Sequence, residues 1–278
     1  MTGPPTLTAA EASARVLQRL EGGEGVAVVL SVDTSPDEPA GLRILVGPDG
    51  AVEGTLGRPE LDQAATALAA GALAEGVARA GMATVDLPGG VQSALYLEVH
   101  HPTPELVIVG AGHIAQPLSR VGALLGFRVI VLDDRPKFAT EARFPDAHRV
   151  GVVDFADPFQ AVTIGRTSHV VLVTRGHKYD FECLRRVLAA KTLPVYIGMI
   201  GSRRRVRATL ARLVDEGVGR DRLGVVRAPV GLDVGAQTPA EIAVAVGAEI
   251  ILAWRGGSGE PLSARENILD RFFPEPPV

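Results

Sequence analysis

Three small residues, Gly110, Gly112 and Ala115, stand directly after an uncharged run from Leu106 to Val109, and a second apolar run ends in Asp133 and Asp134. These types at these spacings suit diphosphate binding. Gly110 permits a tight turn, Gly112 lets the main chain approach a pyrophosphate, and Ala115 lets a helix pack on a strand. The amides at the helix start would face the ligand, where the helix dipole favours negative charge. Asp133 or Asp134 would accept bonds from ribose hydroxyls. His113, beside the glycines, either contacts a phosphate or substrate or is simply an exposed residue at the helix start.

Three further loops carry polar or glycine-rich chemistry. Thr174-Arg-Gly-His-Lys-Tyr-Asp180 is dense in groups that bind or titrate. His177 can act there as a ligand contact, general base or metal ligand with Asp180 orienting it, while Asp180 can also be the N-cap of the next helix. Gly198-Met-Ile-Gly-Ser-Arg-Arg-Arg205 combines turn glycines with cations, and Ser202 can cap a helix whose first turn carries the arginines. Gly201, Ser202 and Arg203 there suit a second anion, with a solvated basic face as the alternative. Asp233, in the irregular run 228–238, either binds a ligand or holds its own loop. No Gly-x-Ser-x-Gly elbow, His-Glu-x-x-His, Cys-x-x-Cys or P-loop lysine occurs. No catalytic set and no metal set can be assembled. Cys183 lies in an apolar run with no activating neighbour and reads as a small buried residue.

The elements that must position these groups follow from periodicity. After residue 105 the chain alternates strand and helix. Strands are expected near 106–109, 128–134, 149–153, 169–174 and 194–199. Helices are expected near 114–125, 181–190, 203–216 and 239–254. That alternation predicts an α/β fold: a Rossmann-type, doubly wound parallel sheet over 106–256. Thr238-Pro-Ala-Glu241 is a capping box with proline in the first turn, and Thr8-x-x-Glu11 is another capping box. The first hundred residues read as a smaller α/β domain, 1–100, with a long Ala-rich helix from Pro59 to about Ala80 and a hairpin around Pro88-Gly-Gly90. His100-His-Pro-Thr-Pro-Glu105 is the linker. A tail, 257–278, follows the last helix.

Composition bounds the rest. The chain has 278 residues, enough for two domains, and 46% hydrophobic residues, enough for two cores. A formal charge of −4 argues against nucleic acid as a partner. A single cysteine fits a reducing compartment. There is no secretory pattern at the N-terminus and no apolar run of membrane-spanning length, so a soluble cytoplasmic protein with no membrane partner is expected.

Six motifs occur in one order: Val109-Gly-Ala-Gly-His-Ile-Ala115, Leu132-Asp-Asp-Arg135, Phe144-Pro145, Thr174-Arg-Gly-His-Lys-Tyr-Asp180, Ile197-Gly-Met-Ile-Gly-Ser-Arg203 and the run from Pro229 to Glu241. Together they resemble the XdhC/CoxI family, the xanthine dehydrogenase accessory factors. The resemblance covers 106–256 closely and the first hundred residues loosely. It implies a maturation factor that binds a molybdopterin-type cofactor as cargo. Such a factor assists sulfuration by a partner sulfurtransferase and helps load a xanthine dehydrogenase-like molybdenum hydroxylase. Homodimers are common in the family. NAD(P) or another nucleotide would also suit the loops, which keeps an NAD(P)-dependent oxidoreductase or a nucleotide-responsive interaction protein as alternatives. The departures lie in the N-terminal half. The family's Ser-Ser-Pro-Arg pattern reads Thr34-Ser-Pro-Asp37 here, and its Ser-Gly-Gly-Cys pattern reads Thr55-Leu-Gly-Arg58, with no cysteine. A soft sulfur ligand to molybdenum cannot be carried over.

Overall fold

A computed structural model describes residues 5–32, 41–160, 162–266 and 271–272. The run Thr34 to Asp37 lies outside them. The chain divides into two compact units, Met1–Pro102 and Thr103–Val278.

The first unit contains α1 (Ala9–Glu21), β1 (Val26–Ser31), β2 (Arg43–Val46), β3 (Val52–Thr55), α2 (Pro59–Ala74), β4 (Arg79–Leu87) and β5 (Val91–His100). Its sheet is antiparallel in the order β3-β2-β1-β5-β4. The expected capping box starts α1: the Thr8 hydroxyl accepts from the Glu11 amide, and the Glu11 carboxylate accepts from the Thr8 amide. Strand β1 is a near-continuous apolar run because it is covered on both faces. Ala27 and Val29 pack with Leu61, Ala65 and Ala69 of α2, whereas Val26 and Val28 pack with Leu7 and Ala12. Helix α2 stops at Ala74, six residues short of the expectation. Gly76 turns the chain at φ +66°, and Arg79–Gly81 then pair with Leu97–Val99 of β5. Strand pairing overrides the helix propensity of the Ala-rich run.

The second unit contains β6 (Glu105–Val109), α3 (Ala115–Leu124), β7 (Arg128–Asp133), β8 (Arg149–Val152), β9 (Ser168–Leu172), α4 (His177–Ala189), β10 (Tyr196–Met199), α5 (Arg203–Asp215), α6 (Arg220–Leu223), β11 (Val226–Arg227), α7 (Pro239–Arg255) and α8 (Leu262–Glu266). The sheet is parallel throughout, in the order β11-β10-β9-β6-β7-β8. Counted within the unit this is 6-5-4-1-2-3, the doubly wound order, and it reverses between β6 and β9. Side chains alternate between two cores. Val107, Val109, Ile130 and Leu132 pack with Phe181, Leu184 and Leu213 on one face. Leu106, Ile108, Val129 and Val131 pack with Leu118, Val246 and Ile250 on the other. Cys183 is fully buried in the first core, and burial raises its thiol well above the ordinary range. The sixth strand, β11, was not anticipated; two residues are too short for a periodic signal. The short α8 interrupts the expected tail. No helix among the described residues is long and apolar enough to cross a membrane.

Candidate functional site

Ligands of open α/β sheets bind beyond the carboxyl ends of the strands at the point where the order reverses. Here that point is the turn 110–114, between β6 and α3. Gly110 has φ +110°, and a Cβ there would lie 2.6 Å from the Val173 carbonyl oxygen. Only glycine lets the chain leave β6 so close to the end of β9. Gly112 differs: a Cβ built on it meets nothing within 4 Å. Ala115 is fully buried under α3, and His113 is exposed. No side chain caps the start of α3. The first amides of a helix have no intrahelical acceptor, so they can serve an anion.

The two acids at the end of β7 have different hydrogen-bond partners, although Arg135 Nε lies 3.9 Å from Asp134 as well. Asp133 is fully buried. Its Oδ2 accepts from the Ala111 amide at 2.6 Å and from Arg135 Nη2 at 2.9 Å; its Oδ1 accepts from the Arg135 amide at 2.9 Å and Nε at 2.8 Å. Four bonds fill a carboxylate's acceptor positions. Asp133 therefore ties the end of β7 to the glycine turn and has no capacity left for a ribose. Asp134 is partly exposed and accepts from both terminal nitrogens of Arg175, in the loop after β9. Burial alone would raise the Asp133 pKa, but the bonds from Arg135 and the Ala111 amide outweigh it and bring the carboxyl from 3.8 down to about 2. A depressed pKa gives stability that is present above the unfolded value and lost as pH falls through the folded one. Thermal stability should thus drop between about pH 4 and pH 2. Asp133→Asn should remove on the order of 2 kcal/mol at pH 7 and flatten that limb of the curve. Melting temperatures of both proteins across pH 2–7 check this; parallel curves would contradict the assignment.

The remaining loops are knitted together by different residues from those expected. Helix α4 begins at His177, with Gly176 as its N-cap and no side-chain capping bond. Asp180 is not the cap. It is fully buried in the first turn, where its carboxylate accepts from the Thr174 hydroxyl at 2.7 Å and Arg205 Nε at 2.6 Å. Arg205 also donates to the Thr174 carbonyl at 3.0 Å. Burial pushes the Asp180 carboxyl above the usual range against the pull of these partners. His177 itself is exposed at the first helical position. Ser202 caps α5 by accepting from the Arg205 amide, as the sequence suggested. Gly201 is half-buried beneath the Arg205 side chain, and Arg203 is exposed at the helix start. Arg205, expected with its neighbours as an anion contact, instead joins the β9 and β10 loops. Asp233 is exposed, while Glu249 holds the neighbouring loop by accepting from the Gly231 amide. Among the described residues no group of three or more His, Cys, Asp or Glu side chains is placed to hold a metal ion.

Comparison with known proteins fits this geometry. The XdhC Rossmann domain matches residues 106–250, and the XdhC and CoxI family matches residues 19–86. The chain is 30% identical over 218 residues to "Uncharacterized protein YqeB" of Escherichia coli, covering 75% of this chain and 40% of that protein. It is 32% identical over 171 residues to a Bacillus subtilis protein named as a probable xanthine dehydrogenase subunit, covering 61% of this chain and 49% of that protein. It thus spans less than half the length of these two relatives. A solved structure described as a xanthine dehydrogenase from Bacillus halodurans shares the fold, with a TM-score of 0.51 at 21% identity over 90% of this chain and 98% of that one. The Rossmann match falls on the doubly wound sheet of the second unit and the other match on the first unit, and the chain belongs to the XdhC and CoxI family.

Proposed function

We propose that this protein is an accessory factor for a xanthine dehydrogenase-type molybdenum hydroxylase, and that its Rossmann crevice holds the phosphate end of a nucleotide-bearing ligand. The observation that carries the reading is the turn at Gly112: main chain with open space over it, leading into a helix start that no side chain caps. The relative named as a xanthine dehydrogenase subunit supports the choice of client. A molybdopterin-type cofactor, carried as cargo, presents a phosphate that is often extended by a nucleotide. The residues present fit that end. They do not supply a soft ligand for the metal end: Cys183 is buried in the core, and the stretch Thr55–Pro59 has no cysteine and turns into α2 through bonds to Asp62. The cargo's metal is therefore left for the client or a cofactor sulfurtransferase to coordinate. A homodimer belongs to the same reading.

The experiment is native mass spectrometry of the protein purified from its host together with a turnover assay. A co-purified pterin or nucleotide, with no substrate-dependent oxidation of reduced nicotinamide cofactor, is the expected result. Steady oxidation would replace the carrier reading with an NAD(P)-dependent oxidoreductase.

A further inference from the structure

We infer that Arg175 is the phosphate-gripping side chain of the crevice, and that a ligand diphosphate takes it from Asp134 by exchange. This rests on the nucleotide reading above and names the residue that would enforce it. The inference comes from where one ion pair lies. Arg175 follows β9 and Asp134 follows β7, and the strand between them is β6. The pair therefore bridges two strand spacings, about 10 Å. It crosses the end of β6, where the Gly110–Gly112 turn opens. A guanidinium at that crossing is placed for a diphosphate seated on the α3 amides.

Three ion pairs meet at this edge: Arg135 with Asp133, Arg175 with Asp134, and a longer one of 3.9 Å from Arg135 Nε to Asp134. The last leaves Asp134 a cationic neighbour when Arg175 is drawn away. The settings of the first two decide which can exchange. The Asp133–Arg135 pair has a fully buried carboxylate whose acceptor positions are filled. Removing its partner would strand a buried charge, so it stays. The Asp134–Arg175 pair has side chains 25% and 36% exposed. Such pairs contribute little and are readily replaced by a better acceptor. A diphosphate is one: it offers the arginine fork two oxygens and more charge than a carboxylate. Arg175 is also anchored for the switch. Its guanidinium lies 4.1 Å from the Tyr179 ring centre, and Nη2 reaches the Tyr179 hydroxyl at 2.7 Å. Tyr179 in turn packs edge-on against Phe155. Stacking holds the plane of the guanidinium while its edge changes partner.

The test is calorimetric titration of the full chain with ADP and with NADH at fixed ionic strength, for the wild type, R175A, R175K and D134N. Expected are binding weakened at least tenfold by R175A, a smaller loss with R175K, and binding about three- to fivefold tighter with D134N, which removes the competing charge. The residues are partly exposed, so all three variants should melt like the wild type. Unchanged affinity in R175A overturns the inference. Equal or weaker affinity in D134N also overturns it, and a weaker one makes Asp134 a ribose contact instead. A wild type that binds neither probe retires the nucleotide reading of the crevice together with this one.

Discussion

Gly112→Asp is expected to weaken nucleotide binding more than 100-fold and leave stability within about 0.5 kcal/mol of the wild type. The second half of that statement makes the first informative. A Cβ at Gly112 meets nothing within 4 Å, and the backbone there does not require the left-handed region. The fold therefore has room for a side chain. That side chain would stand two residues before the Ile114 N-cap of α3, a helix start with no capping side chain and the proposed seat of the diphosphate. A carboxylate there would occupy the anion position and repel a diphosphate. Two like charges about 4 Å apart at a protein surface repel by roughly 4 kcal/mol, and each 1.4 kcal/mol is a tenfold change in affinity. Titration with NADH or ADP reads the effect, and a thermal melt confirms folding. A folded variant with wild-type affinity would mean that the ligand, if there is one, sits elsewhere.

The framework of the fold was legible because its signals are local. The uncharged runs at 106–109 and 129–132, the glycine turn and both threonine capping boxes all stand where the pattern placed them. The partners within the site were not legible, because they depend on tertiary proximity. Asp133 and Asp134 look equivalent in sequence, yet one is sealed by Arg135 and the Ala111 amide and the other meets an arginine 41 residues away. Asp180 looked like a helix cap. It became a buried partner of Arg205, 25 residues on, because β9 and β10 are neighbours in the sheet. The signal that could have found it was the position of Arg205 three residues after the Ser202 cap, which turns one arginine of the run back toward the strand ends. In the first unit, the Ala-rich run to Ala80 overstated α2 because β5 was long enough to recruit residues 79–81 into a strand. In each case a local preference was real and a partner distant in sequence outweighed it.

Gly110→Ala should do the opposite of Gly112→Asp: it should damage the fold first. The position needs φ +110°, which L-residues rarely adopt, and the new methyl would lie 2.6 Å from the Val173 carbonyl oxygen and 2.8 Å from its carbonyl carbon. Those atoms are main chain at the end of β9, so no rotamer change relieves the clash. Relief requires β6 and β9 to part where Val173 donates its amide to the Val109 carbonyl at 2.9 Å. Backbone strain of this kind costs about 1–3 kcal/mol, and overpacking a close contact adds about as much. A loss of about 2–6 kcal/mol follows, or roughly 4–24 °C in melting temperature for a unit of this size. Denaturant unfolding, with the slope checked for two-state behaviour, measures it. A variant as stable as the wild type would show that the turn relaxes without parting the strands. The two glycines thus separate by experiment. One is kept by its own protein's backbone, and the other has open space over it, so its substitution tests the proposed ligand rather than the fold.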